Sequence, residues 1–388
     1  MRLLVSVGIL VFTCMCGSSR DDTAKFHVGL KVQVETSSPI LFPQPPFPDI
    51  QEKMGLFENA TDFRDLFPTQ EVVRLEALEG ALIGYVEDLE FVDGFWFVLD
   101  RVQGLVFQFS RGGAFERVLG SKGQGPGEYL HPTQLFPCFG NQIGVFDSSN
   151  AKILVYNVNG KFIRQLSYQH QGFMIIPNGS ILWNDQERLI LPGFDSYNKA
   201  APWHVRFNPQ SEEDLVGFGK REEPLFKSPW SVTATCQVGE TIWIGSPYST
   251  EISVYDLDGN FLTQLRPAIP NALSLDDFKD TPQSREQRRA LFKRPRCQSI
   301  QQVGNLVLAY FGRIYSIFDT HGNLIRSNLP TQQWPILCVM EDQVVTLLPT
   351  LEKHLYHPQE LQALIKLGWK EEDLENDNSY LAIGKLQL

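Results

Sequence analysis

Two stretches, Phe109-Ser-Arg-Gly-Gly113-Ala-Phe115 and Tyr156-Asn-Val-Asn-Gly160-Lys-Phe162, decide the fold, because they are one pattern written twice at a spacing of 47 residues. In each, an aromatic residue is followed by a glycine and then by phenylalanine at the same offsets. The register extends outward: Asp100 and Asp147 precede the aromatic by nine residues, and Leu119 and Leu166 follow the phenylalanine by four. The pattern returns at Tyr255-Asp-Leu-Asp-Gly259-Asn-Phe261 and at Phe318-Asp-Thr-His-Gly322-Asn-Leu324. A repeat of this length is the mark of propellers and solenoids. Each copy reads as a hairpin whose aromatic closes one strand, whose polar residues make the turn, and whose glycine takes the positive φ that a Cβ would oppose. Asn157, Asn159, Asp256 and Asp258 are turn residues on this reading, since oxygen ligands do not recur at calcium-loop spacing.

The gaps between copies count the units. Tyr156 to Tyr255 leaves room for a divergent unit around Phe207, with strand His204 to Phe207 and Ser211 in place of the glycine. Tyr255 to Phe318 holds one unit and an insertion, expected to be helical from about Ser274 through Phe292. A last unit is split between the ends: Trp334 to Met340, Val344 to Leu348 and Tyr380 to Leu386 supply three strands and Val72 to Leu75 the fourth. The expectation is therefore an all-β, six-bladed β-propeller of four-stranded antiparallel blades over 71–388, closed by strands from both termini, which removes open sheet edges. Two short helices, the insertion and His357-Pro358 to Gly368, would decorate it.

The segments before residue 71 read differently. Arg2 followed by the apolar run Leu3 to Thr13 fits a secretory signal and is too short to span a bilayer. The run ends at Cys14-Met15-Cys16, similar to a bacterial lipoprotein signal, with Cys16 the expected lipid attachment and Cys14 the alternative. Residues 17–70, with prolines clustered between Ser37 and Asp49, are expected to be an extended leader or tether. An exported protein, in the periplasm or at the outer membrane and held by a lipid anchor only, follows from this reading.

The chain of 388 residues is 43% hydrophobic and 20% charged, enough to bury a large core. Its net charge of −11 repels phosphate backbones and argues against nucleic-acid binding.

Val73-Arg-Leu-Glu76, Leu99-Asp100-Arg101, and above all Gly120-Ser-Lys-Gly123-Gln-Gly125-Pro126-Gly127-Glu128-Tyr129 with Pro132 carry a resemblance. By them the chain from about Asp62 to Leu388 resembles the six-bladed β-propeller family of exported and lipid-anchored proteins of Bacteroidetes and related bacteria, akin to the NHL-repeat propellers. Asn376-Asp-Asn378-Ser-Tyr-Leu-Ala-Ile-Gly-Lys385-Leu fits the closing strand, although Ser379 stands where proline is expected. The resemblance implies a fold and no particular reaction.

No cofactor or metal is signalled. The glycine-rich motif lacks the Lys-Ser/Thr ending of a phosphate loop, so Gly123, Gly125, Pro126, Gly127, Glu128 and Tyr129 are read as the crossover between blades, with Glu128 accepting backbone N–H bonds. Cys138, Cys236 and Cys338 are expected at matching inner-strand positions of alternate blades, as small buried hydrophobes near the channel. Most tryptophans are expected in blade cores. Trp203 and His204 form one candidate binding surface, and the basic insertion with Arg285, Arg289 and Lys293 another. The function expected is a binding or scaffold module, acting as a monomer, that takes a protein, small-molecule or glycan ligand at one channel mouth. The alternative is a lyase, lactonase or glycan-cleaving enzyme with an axial acid or metal site, for which Asp88, Glu90, Asp100 and Asp147 are candidate acids; the last two are repeat positions, where hydrogen bonding between strands is the simpler account.

Overall fold

The computed structural model describes residues 31–32, 50–51, 54–76, 83–138, 140–150, 152–167, 173–175, 181–183, 189–195, 204–208, 211–219, 233–278, 285–331, 336–348, 362, 365–366 and 379–386. Its frame is a series of antiparallel sheets, each running from an inner strand outward. The first contains Val86–Val92, Phe95–Asp100, Leu105–Ser110 and Phe115–Leu119. The second contains Pro132–Cys138, Gln142–Asp147, Lys152–Asn157 and Phe162–Ser167. A fourth (Ala234–Val238, Thr241–Gly245, Ile252–Asp256, Phe261–Leu265) and a fifth (Ser299–Val303, Leu306–Tyr310, Ile314–Asp319, Leu324–Pro330) repeat the plan. The closing sheet joins Cys338–Met340, Gln343–Leu348 and Ser379–Lys385 to Thr69–Leu75, so its outermost strand comes from the front of the chain.

The recurring hairpin explains the repetition. In the first, second, fourth and fifth sheets the turn glycine, Gly113, Gly160, Gly259 or Gly322, has φ between +78° and +88°. Its N–H donates to the carbonyl of Ser110, Asn157, Asp256 or Asp319 respectively. Asn157, Asp256 and Asp319 also accept two backbone N–H bonds each through a side-chain oxygen, which employs as turn chemistry the oxygens a calcium reading would have used. The aromatic before each turn is buried. In three units it meets the phenylalanine after the turn edge to face, with centroids 5.7–5.9 Å apart.

Five sheets are four-stranded, which corrects the expected count of six such blades. Where the divergent unit was expected there is instead a six-stranded third sheet. Two short segments, Phe173–Ile175 and Leu182–Trp183, both pair with Leu189–Asp195, followed by His204–Asn208 and Ser211–Phe218, while Lys31–Val32 adds in parallel at the outer edge. The physical reason is that the inner strand is broken in two and the outer edge takes up a segment of the leader. Apolar cores fill the junctions between consecutive sheets. Leu135, Val145 and Leu154 meet Phe97 and Leu99; Ile181 and Leu189 meet Phe146 and Ile153; Ile190 and Phe218 meet Ile242 and Tyr255. Trp243 packs on Phe318, and Leu381 and Ile383 join the core of Trp96 and Phe107.

The leader reading needs a boundary change. Helices α1 (Met54–Asn59) and α2 (Phe63–Leu66) bury Phe57, Phe63, Leu66 and Phe67 against Tyr315, Ile317 and Leu329 of the fifth sheet. Asp62 caps α2, and Asp65 completes the capping box. Residues 54–67, expected in the tether, therefore belong to the folded body. The insertion forms a 3-10 turn, Leu275–Phe278, and helix α3, Arg285–Phe292. Of the second expected helix, 357–368, only Gln362, Ile365 and Lys366 are described, and all three are helical. Among the described residues no helix is long and apolar enough to cross a membrane.

Candidate functional site

The inner strands surround a cavity of about 570 Å³. Glu87, Asp88 and Glu90 come from the first sheet, Gln134 to Pro137 from the second, Thr235 to Gln237 from the fourth, Gln298 to Gln302 from the strand opening the fifth, and Ile336 to Val339 from the closing sheet. The third sheet adds Leu182 and, just before it, Ile181. The floor plan follows from strand pairing. Glu90 pairs with Phe97, Phe136 with Gly144, Cys236 with Trp243, Gln301 with Leu308 and Cys338 with Val345, so these five inner-strand residues occupy one level of the channel.

At that level most polar groups are turned to structural use. The Gln301 amide donates toward the Ile336 and Leu337 carbonyls of the next inner strand at 3.4–3.5 Å, a loose contact. Asp88, two residues before Glu90, accepts the Leu135 N–H across the junction at 2.7 Å and its neighbour Leu89 at 3.0 Å. An inner strand has one edge without a sheet partner, and these side chains satisfy part of it. Glu90 differs. Among the described residues its carboxyl has no hydrogen-bond or ion-pair partner.

Burial sets the charge of this wall. Desolvation pushes the Asp88 carboxyl up to about 7 against the pull of its two backbone N–H bonds, and Glu87 adds to the rise. The Glu90 carboxyl is likewise held well above the usual carboxylate range, first by burial and then by Asp88. Both side chains keep some surface, but it opens on the channel deep in the ring. Among the described lining residues there is no lysine, arginine or histidine. The thiol of Cys236 is pushed up to about 12 by burial, and that of Cys338 rises by burial and by the nearby Glu90 and Asp88. All three channel-side cysteines lie on inner strands, but Cys138 pairs with Gln142 at the strand end and so sits two residues out of register with Cys236 and Cys338. Among the described residues no group of three or more His, Cys, Asp or Glu side chains is placed to hold a metal ion.

The other candidates fall outside the cavity. Asp100 and Asp147 are fully buried and tie their sheet to the entering chain: Asp100 accepts N–H bonds from Gly84, Val102 and Gln103, and Asp147 from Leu130, His131 and Ser149. In the glycine-rich motif, Glu128 accepts the Gly125 N–H at 2.8 Å, and Gly123 donates to the Tyr129 carbonyl. The Tyr129 hydroxyl donates to the Leu119 carbonyl and accepts the Val106 N–H, while Tyr156 donates to the Gly127 carbonyl. Ser121–Lys122 and Glu128–Tyr129 form a small parallel pair on the crossover from the first sheet to the second.

His204, expected on a binding surface, is fully buried, which corrects that assignment. Its Nε2 lies 3.0 Å from the Thr235 hydroxyl, its ring is tilted against Phe218 at 5.8 Å between centroids, and burial pushes it down to about 3. The alternation of strand His204–Asn208 turns this side chain inward. Trp203, the lipid-attachment candidate Cys16, and the side chains of Arg285 and Arg289 on α3 lie outside the described residues. Lys293, just past α3, is exposed. Arg294 is held by Asp277 at 2.6 Å and by the carbonyls of Asn271 and Ala272, so it pins the insertion to itself. The sequence singled out Asp88 and Glu90, but it missed Glu87 and the channel glutamines, for which the adjacent Gln301-Gln302 was the available signal.

Sheets of this kind set around an axial cavity define a β-propeller. A domain of unknown function, DUF4934, matches residues 49–201, the first two four-stranded sheets and part of the third. The fold is similar to that of a candidate exported protein from Bacteroides fragilis, with a TM-score of 0.61, 17% identity, and coverage of 84% of this chain and 97% of that one. It is also similar to a member of the DUF4221 family from Bacteroides vulgatus, with a TM-score of 0.58, 10% identity, and coverage of 83% and 98%. At these identities the likeness concerns the fold alone. No curated protein matches the chain by sequence.

Proposed function

We propose that this chain is an exported propeller that binds a small molecule inside its axial channel, with the inner strands as a fixed wall. One observation carries the reading: the Glu90 carboxyl lines a cavity of about 570 Å³, within the size range of small-molecule sites, with no hydrogen-bond or ion-pair partner among the described residues. A buried polar group left unpaired costs free energy, and a ligand that bonds to it recovers that cost. The test is Cys236→Trp, which fills the channel from the fourth sheet. Ligand-observed NMR on a panel of cationic, neutral and anionic small molecules should lose its hits in this variant. Hits retained at unchanged strength would place binding elsewhere.

Three finer points belong to the same reading. The third sheet takes a full place in the ring, giving six places and the NHL-like plan; the cores on both its sides support this, and an experimental structure with five sheets about the axis would sink it. Export is supported by the signal-like N-terminus. Attachment at Cys16 predicts membrane release on Cys16→Ser.

A second reading, proton transfer to or from a bound substrate, is favoured by Asp88 alone, whose carboxyl near 7 is poised for acid–base work at ambient pH. Turnover of an ester or lactone that survives Asp88→Asn would remove it.

A further inference from the structure

We propose that the ligand of the axial channel is an organic ammonium ion with an apolar body, held at its charged end by Glu90. This inference rests on the axial-binding reading and names the ligand class. Three features of the wall point the same way.

The first is sign. Glu87 pairs with Arg101 at 3.4 Å, but Asp88 and Glu90 face the cavity with no cationic side chain among its described lining residues, so the wall can form an ion pair with an ammonium and none with an anion. The second is vacancy of bonding. Asp88 already accepts two backbone N–H bonds, but Glu90 accepts none among the described residues, so the acceptor left for a ligand's N–H groups is Glu90. The third is the rest of the surface. Pro137, Leu182, Leu337 and Val339 line the same space, keep some surface and offer contact for an alkyl or aryl body. A polyhydroxylated ligand would leave that apolar wall unmatched, and an apolar neutral ligand would leave Glu90 unpaired.

The inference carries a proton balance. Among the described residues the titratable groups that sense Glu90 are Asp88 on its own strand, which Glu87 acts on in turn, Cys138 from the second sheet, itself within the field of Arg164, and Cys338 from the closing sheet. Both thiols are raised by burial and stay neutral. With its carboxyls protonated by burial, the wall must give up a proton to form the ion pair, and that proton passes to the buffer. Binding should therefore tighten by up to about tenfold per pH unit as pH rises toward neutrality.

The experiment is calorimetric titration of the full mature chain with three probes of one shape: phenethylamine, 2-phenylethanol and phenylacetate. Each is measured at pH 5.5 and 7.5 in two buffers of different ionisation enthalpy, on wild type, Glu90→Gln and Cys236→Trp. The expected result is amine binding at least tenfold tighter than the alcohol, release of about one proton, tightening with pH, and loss of the preference in Glu90→Gln. That variant removes a buried acid without changing its shape, and the wild-type pH dependence is an independent readout should it fold poorly. Equal binding of alcohol or acid, no binding of any probe, or an amine affinity unchanged by Glu90→Gln overturns the inference. If the alcohol binds and Cys236→Trp abolishes it, axial binding stands without the cation. If amine binding persists in Cys236→Trp, the axial reading falls with it.

Discussion

Replacing Tyr129 by phenylalanine should cost about 2–6 kcal/mol of folding free energy, and the size follows from two bonds. The hydroxyl donates to the Leu119 carbonyl at 2.7 Å and accepts the Val106 N–H at 3.1 Å, at a fully buried position. Both partners belong to the first sheet, while Tyr129 enters the second, so one oxygen fastens the two together. Phenylalanine fills the same space and opens no cavity, leaving the two backbone groups underbonded at about 1–3 kcal/mol each. Burial holds the phenol protonated by pushing it up to about 12, so it remains a donor throughout the ordinary pH range. Urea denaturation at pH 7 followed by tryptophan fluorescence measures the loss; the m value should stay unchanged. Tyr85→Phe is the control, since Tyr85 is 52% exposed and should change stability by less than about 0.5 kcal/mol. A Tyr129→Phe loss no larger than the control's would refute the claim that this motif is a structural clamp.

Gly113→Ala should destabilise far more than Gly94→Ala. Both glycines have positive φ, +88° and +85°, but a Cβ at Gly94 meets open space, whereas one at Gly113 would sit on the Arg74 carbonyl of the closing strand. Backbone strain alone gives about 1 kcal/mol for Gly94→Ala, and equal losses in the two variants would argue against the closing strand's position. The buried acids make stability fall with rising pH: the folded state keeps the Asp88 proton up to about 7 where the unfolded chain releases it near 3.8, so the contribution is full below the lower value and gone above the upper. The difference amounts to at most about 4 kcal/mol across that window. His204, held neutral by burial, works the other way: its unfolded imidazole takes up a proton below about 6.5, so its contribution rises by about 1.4 kcal/mol from pH 5.5 to 8. Asp88→Asn should raise the stability at pH 8 relative to that at pH 5.5 by about 2 kcal/mol compared with wild type, and a pH dependence equal to wild type would show that Asp88 titrates normally.

The hairpin was legible because its constraint is local. A glycine with positive φ, an Asx side chain and an aromatic at fixed offsets specify a turn wherever they occur, and four copies fixed the repeat. The closing sheet was legible too, since Val72 to Leu75 had no other unit to join. The third sheet was not: its broken inner strand and the parallel addition of Lys31–Val32 depend on pairing between segments distant in sequence, which no local pattern records. The helices at 54–66 were hidden by the prolines before them; their stability comes from burying Phe57 and Phe63 on the fifth sheet, a tertiary effect. His204 was misplaced because its neighbour in sequence, Trp203, suggested a surface, while strand alternation decided otherwise. Of the channel, Asp88 and Glu90 stood out as acids on a strand. That the described lining residues hold no lysine, arginine or histidine emerges only when five other inner segments are brought beside them.

The most direct measurement of axial binding is methyl NMR on the isotope-labelled mature chain titrated with a ligand from the panel. The account predicts shift changes at Leu135, Ile300, Ile336 and Leu337, which line the cavity, with Val102 and Leu324 on the outer surface unchanged. Shifts confined to Val102, Leu324 or other exposed methyls, with the four cavity residues unmoved, would contradict it.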